Sequence, residues 1–290
     1  MKGLLQSVLA YLIWGCFPLY FYLLKHVAPL EVLSFRIIFA CALSFLLIGY
    51  FGEIRQFFTH FKNKKTILMT MLSSFLITVN WFVFIWAVSV GKVIESSLGY
   101  FMTPLVSLLL GAVILKEKLT RYQFIAGVLA VMAVLVELVL LGKVPWVSII
   151  LATSFGLYGL VRKQQTLESL HGLTLETFWA FPIAVCVLLL IQYNSGTVLN
   201  YDLPTYALLA LSGAVTATPL LLFASSVRKL NLVVAGFLMY LNPSMQFVTA
   251  IFIFGETAPV QRYVTFGIVW LAMVFFIFGM VKSYRNRPVD

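Results

Sequence analysis

The sequence predicts an all-α membrane protein with ten transmembrane helices, arranged as two inverted five-helix repeats. Three observations predict it. Hydrophobic residues make up 62% of the 290 and charged residues 10%, with a mean hydropathy of +1.01; a soluble domain carries about 25% charge. A spacing also occurs twice: Pro104 precedes Glu117 by thirteen residues, and Pro243 precedes Glu256 by the same thirteen, an offset of 139. Upstream, Ala87-Val88-Ser89-Val90-Gly91-Lys92 is echoed by Ala224-Ser225-Ser226-Val227-Arg228-Lys229 at an offset of 137. Finally, the basic residues are concentrated in alternate loops.

A spanning helix takes roughly 20 mainly apolar residues. The first, 4–24, follows Lys2 and runs on past Trp14 and Cys16 without a small-residue cleavage pattern, so it reads as a retained span and not a leader. The second, 32–50, is apolar around a single Arg36, and the third, 67–89, follows a basic loop. The fourth, 96–115, contains Pro104, and the fifth, 122–141, ends at a tight turn to Trp146. The sixth, 146–161, is short, the seventh covers 177–193, and the eighth, 206–224, carries Thr216, Thr218 and Pro219. The ninth, 233–254, holds Asn242 and Pro243, and the tenth covers 263–281. The longest connections expected are 51–66, 162–176 and 194–205, which leave no room for a soluble domain.

With the N-terminus inside, the cytoplasmic loops hold fifteen Lys and Arg; the opposite loops hold four (Lys25, Lys92, Lys143 and Arg262), and Arg36 lies within a span. Such a bias sets orientation and expects both termini in the cytoplasm of a multi-pass inner-membrane protein. Five spans per half invert the second copy, so residues 1–141 and 146–281 become inverted repeats with a substrate path at their interface. The net charge of +10 is scattered among the loops, not gathered in a patch, which excludes a nucleic-acid face. Cys16, Cys41 and Cys186 lie in apolar stretches, and His26, His60 and His171 are far apart, so neither a disulfide framework nor a metal site is expected. No zinc, nucleophile-elbow or phosphate-loop motif appears, so the sequence points to no enzyme, no ATP drive and no cofactor. Duplication in so apolar a chain marks a secondary transporter; a channel or a non-transporting receptor is the alternative.

Polar side chains inside spans are costly toward lipid and turn inward. Arg36 lies five residues past Glu31, about 7.5 Å along a helix, in the outer part of span two. It suits a carboxylate-bearing substrate, with Glu95, at the start of span four, as its partner or a proton carrier. Alternatively it snorkels to headgroups or pairs structurally with Glu31 or Glu95. Asn80 and Trp81 fall near the middle of span three and Asn242 near the middle of span nine; such amides bind substrate or bridge helices. Tyr100, Tyr158 and Tyr240 offer polar handles on an apolar path, or simply pack. The expectation is that Asn80, Trp81, Tyr100, Tyr158 and Asn242 share one central cavity. Pro104, Pro219 and Pro243 free carbonyls one turn earlier and are candidate bends, mobile or static. Glu117 and Glu256 read as local caps or pairs, Glu117 with Arg121, and Glu137 as a headgroup contact near Lys143.

These residues resemble a known family. Trp14-Gly15, Asn80-Trp81, Trp86-Ala87-Val88, Gly91, Glu95-Ser96-Ser97-Leu98-Gly99-Tyr100-Phe101, Pro104-Leu105, Gly111 and Glu117-Lys118-Leu119 are similar to the RarD branch of the EamA group, in the drug/metabolite transporter superfamily. In the second half Phe155-Gly156-Leu157-Tyr158-Gly159, Leu175-Glu176-Thr177, Thr216-Ala217-Thr218-Pro219-Leu220 and Gly255-Glu256 agree, the last pattern being shared widely in the superfamily. The resemblance covers nearly the whole chain and implies a ten-helix inner-membrane permease, often named chloramphenicol-sensitive, without fixing a substrate. The partners expected are a small-molecule substrate and membrane lipid, with no nucleic acid; a homodimer is left open.

Overall fold

The computed structural model describes residues 2–90, 93–141, 146–253, 255 and 260–285, and the regular structure there is helical throughout. The helices are α1 (Lys2–Gly15), α2 (Phe17–Leu23), α3 (Pro29–Tyr50), α4 (Ile54–Thr59), α5 (Lys64–Ser89), α6 (Val93–Val113), α7 (Arg121–Leu141), α8 (Trp146–Gln164), α9 (Ser169–Ser195), α10 (Leu203–Val227), α11 (Leu232–Leu238), α12 (Leu241–Phe252) and α13 (Val260–Arg285), with a 3₁₀ turn at His60–Lys62. Among the described residues, six segments are long and apolar enough to cross a membrane: Lys2–Leu23, Pro29–Tyr50, Lys64–Ala87, Ser169–Ser195, Leu203–Val227 and Leu232–Thr249. Leu98–Val113, Arg121–Val136 and Tyr263–Gly279 are shorter apolar stretches.

Two of the long segments are broken, and proline explains both breaks. Pro243 has no N–H and its ring excludes the carbonyl of residue 239. The chain accordingly tightens into 3₁₀ turns, with Met239 N–H donating to Gly236 O (3.1 Å), Tyr240 N–H to Phe237 O (3.2 Å) and Asn242 N–H to Met239 O (3.0 Å). The ninth expected span thus becomes α11 and α12. Pro18 acts likewise on the first, which divides at Cys16 into α1 and α2. Pro104 and Pro219 instead stand inside the unbroken α6 and α10, and α9 accommodates Pro182.

α1 packs on α10 and α12, α3 on α9 and α10, α5 on α8 and α9, α6 on α8 and α11, and α7 on α13. The central core joins Tyr11, Phe155, Tyr158 and Phe223, the last two stacked at 6.0 Å. A second core sets the small Ala126, Ala130 and Ala133 of α7, spaced to let backbones approach, against Phe266, Val269 and Ala272 of α13. α3 and α10 approach closely at Gly213, where a Cβ would lie 2.5 Å from the Phe39 carbonyl carbon. Large apolar side chains such as Leu46, Leu68, Phe75, Leu189 and Val274 cover the outside, as a lipid-facing surface requires.

At one end, called here the α4 end, Glu117 accepts from the N–H groups of Leu232 (2.8 Å) and Val233 (3.0 Å) and so caps α11. The expected local pairing with Arg121 gives way to a cap reaching 115 residues along the chain. At the opposite end Glu31 accepts from Thr197 Oγ1 (2.8 Å) and Tyr201 OH (2.6 Å), so it belongs to a lock between α3 and the loop after α9. Burial and the adjacent Glu31 push the Tyr201 phenol up to about 12. One departure from expectation is 162–176: α8 runs on to Gln164 and α9 already begins at Ser169, so most of this connection is helix.

Candidate functional site

The Arg36 side chain is 4% exposed and projects from α3 into the bundle. Its Nε donates to Thr216 Oγ1 on α10 (2.9 Å). Three rings surround the guanidinium, with centroids 5.1 Å away for Phe21, 5.8 Å for Phe17 and 5.1 Å for Trp81. The first two lie on the broken α2 and the third on α5. Tyr100 and Tyr20 face the same cation electrostatically, and the Tyr20 hydroxyl is held by Leu208 O. An arginine boxed by rings keeps its charge while much of its surface is desolvated, which leaves it ready for an anion.

Beyond Trp81 the described side chains close around a cavity of about 10 Å³, lined by Ile37, Ile77, Trp81, Leu173, Glu176 and Leu220 among others. That volume accommodates about one water-sized group. On its far side lies a buried charge pair. Arg162 is 1% and Glu176 2% exposed, with Nη1 and Oε1 3.5 Å apart. Tyr158 OH donates to Glu176 Oε2 (3.2 Å), while Arg162 donates to Gln165 Oε1 (2.7 Å) and Ser169 O (3.3 Å). The pair is imperfectly satisfied: Arg162 Nε and Glu176 Oε1 find no hydrogen-bond partner among the described residues. Outside it, at the α4 end, a pocket of about 390 Å³ is bordered by His60, His171 and Glu168. His60 Nε2 and His171 Nδ1 lie 3.0 Å apart, and His171 Nε2 is 3.0 Å from Glu53 Oε2 but off the N–H axis. From that end inward, α9 therefore presents Glu168, His171, Glu176 and the cavity wall in order.

The residues singled out in the sequence fall in different places. Trp81 lines the cavity and meets Arg36, and Tyr100 faces Arg36 while packing on Phe84 at 5.6 Å. Asn80 turns the other way, donating to Leu151 O (2.9 Å) and Ser154 Oγ (3.0 Å), and so ties α5 to α8. Tyr158 is fully buried beside Glu176. Asn242, in the first turn of α12, accepts from Gln246 Nε2 (2.8 Å). Glu95 lies in the first turn of α6, but its side chain, like that of Glu137, is outside the described residues, as are Gly91, Lys92, Lys143 and Glu256. Sequence reasoning counted Arg162 as a loop cation, met Glu176 only within a family motif, and passed over Pro18; a proline two residues after Cys16 in an apolar run was an available signal for the first break.

Comparison with known proteins agrees with this architecture. The family model described as EamA-like transporter family matches residues 1–139. An uncharacterized transporter, YojE, of Bacillus subtilis is 41% identical, covering 98% of this chain and 96% of that one. Protein RarD of Escherichia coli is 35% identical over 98% and 97% of the two chains. Chloramphenicol-sensitive protein RarD of Pseudomonas aeruginosa is 28% identical over 99% and 97%. A protein of known crystal structure, 12% identical, superposes with a TM-score of 0.69 over 94% of this chain and 95% of that one, which shows a shared fold alone. On this identity over nearly its full length, the chain belongs to the EamA-like transporter family as a RarD-type permease, a multi-pass membrane transporter of the drug/metabolite kind.

Proposed function

We propose that this permease is a secondary transporter that moves a small organic metabolite or drug across the bacterial inner membrane by alternating access. Its ten spans form inverted repeats, 1–141 and 146–281, with both termini in the cytoplasm. The carrying observation is the boxed Arg36: a 4% exposed cation, ringed by aromatics from α2 and α5, beside a helix interrupted in mid-span. Interrupted helices next to buried charge are where transporters of inverted-repeat design hold substrate. The helix pairing supports the repeat: α1 on α10 corresponds to α8 on α5, and α3 on α10 to α9 on α5, when the halves are exchanged. The substrate path runs along Arg36, Trp81 and Tyr100, with Glu95 contributing from the head of α6; Asn80, Tyr158 and Asn242 support its walls.

The test is uptake by proteoliposomes presented with a soluble metabolite extract, read by mass spectrometry under an imposed gradient. A transporter concentrates at least one metabolite, and Arg36→Ala removes that accumulation while Arg36→Lys restores part, because a point charge replaces the bidentate fork. Movement that only equilibrates across the membrane establishes the channel reading instead. Reporter fusions at 200 and 258 should read the outer face and those at 63, 119, 168 and 290 the cytoplasm; a cytoplasmic signal at 200 overturns the arrangement.

A further inference from the structure

We infer that Glu176 is a proton-binding carboxylate of the transport path, and that its ion pair with Arg162 is the lock that holds the α4 end closed. The inference rests on the transporter reading for its purpose, but not for its test. The pair lies between two spaces: the pocket of about 390 Å³ at the α4 end and the cavity of about 10 Å³ that leads to Trp81. Glu176 lines the inner space, while Arg162, through Gln165 and Ser169, ties the end of α8 to the start of α9.

A buried ion pair of this quality is a poor stabilising device. Desolvating two charges is repaid only when the geometry is excellent and every remaining polar atom is satisfied. Here the closest approach is 3.5 Å, and one atom of each partner lacks a hydrogen bond among the described residues. Imperfect buried pairs of this kind suit a switch better than a strut.

The surroundings of Glu176 favour a single exchangeable proton. From α8 it meets Arg162 and Tyr158. From α5, Ser73 lies beside the carboxylate but donates to Thr70 O (3.2 Å), and Ser74 donates to the backbone oxygen of Glu176 (2.6 Å). α3 contributes apolar Ile37, with Cys41 beside Thr177, and α10 contributes Leu220. His171 on the same helix is engaged with His60 and Glu53 instead. Arg162 is thus the one cation facing the carboxylate among the described residues. When a proton from the aqueous side bonds to Glu176, the carboxylate becomes a neutral acid and its attraction for Arg162 ends. Arg162 then keeps its bonds to Gln165 and Ser169 but loses its hold on Glu176 deeper in α9, which loosens the junction of α8 and α9.

Infrared difference spectroscopy of the purified full chain in lipid nanodiscs tests this without any substrate. On acidification the wild type should show a protonated-carboxyl C=O band that Glu176→Gln loses and Glu95→Gln keeps. In parallel, amide exchange at 164–172, corrected for its intrinsic pH dependence, should rise as that band grows. In Glu176→Gln it should be high at every pH. Should Glu176→Gln insert poorly, Glu176→Asp must retain a shifted band, and Arg162→Gln/Glu176→Gln, which removes both charges, must lose it. A band that survives in Glu176→Gln, or exchange at 164–172 that ignores pH in the wild type, overturns the inference. Neither readout depends on metabolite movement. A chain that titrates at Glu176 yet carries nothing refutes the transporter reading alone, and one that transports without the band refutes this inference alone.

Discussion

Gly172→Ala probes the Arg162–Glu176 pair without touching either charge. A Cβ on Gly172 would fall in hard contact with Arg162 Nη1 and only 2.7 Å from Cζ. The guanidinium is the far end of a flexible side chain, so the methyl itself is not what costs. At 1% exposure, however, Arg162 can move only by giving up Gln165 Oε1 at 2.7 Å and drawing away from Glu176. Glu176, 2% exposed, then becomes a buried charge without its cation. Breaking a buried pair costs about 3–5 kcal/mol, whereas alanine gains about 1 kcal/mol over glycine in a helix interior. The net expectation is a destabilisation of about 2–4 kcal/mol. Reversible unfolding in mixed micelles measures it. The same substitution in an Arg162→Gln/Glu176→Gln background should be neutral or slightly stabilising, because only the propensity term remains. A cost below about 1 kcal/mol in the wild-type background would mean that the arginine finds an equivalent position, and the account of Gly172 as the space that admits Arg162 would be wrong.

At Gly213 the obstacle is backbone, since a Cβ would sit 2.5 Å from the Phe39 carbonyl carbon and 2.7 Å from Ala40 N; Gly213→Ala should push α3 from α10 at a cost of about 1–3 kcal/mol, seen as a lower unfolding midpoint. Glu117→Gln halves the carboxylate cap that serves Leu232 and Val233, and a loss of about 1 kcal/mol is expected, with faster amide exchange confined to the start of α11; unchanged exchange there would remove Glu117 from that role. Burial and the neighbouring His171 hold His60 below the ordinary imidazole value, with Glu168 opposing more weakly. The opened segment therefore binds the proton more readily than the packed one. The contribution of His60 is present in full above its unfolded value of about 6.5 and is lost as pH falls through it. Amide exchange over 54–62 should rise across that window in the wild type but not in His60→Gln, and a flat profile in both excludes His60 as the sensor.

What the sequence made legible, and what it did not, divides along the range of the interactions involved. Arg36 was visible because one charge in an apolar run is expensive unless turned inward, and that argument needs no partner. Its box was not, since Phe17 and Phe21 come from another helix and Thr216 from 180 residues away. The break before Pro243 was foreshadowed by proline's local chemistry, which the 3₁₀ turns at 236–242 then express. Glu117 was marked by the repeated spacing but assigned to Arg121, four residues on, because a local rule sees only neighbours; the actual acceptor geometry joins the two halves of the chain. Glu176 shows the limit most sharply. A ruler of continuous apolarity stops at the first charge, so 162–176 read as a connection between spans. Most of the segment is nevertheless helix and 171–176 is buried, because Arg162 enters from α8 to face the carboxylate and Gly172 leaves the room for it. Such a charge is tolerated through a partner that only the tertiary fold supplies, so the position that hydropathy discards as too polar to span is the one with the strongest reason to be functional.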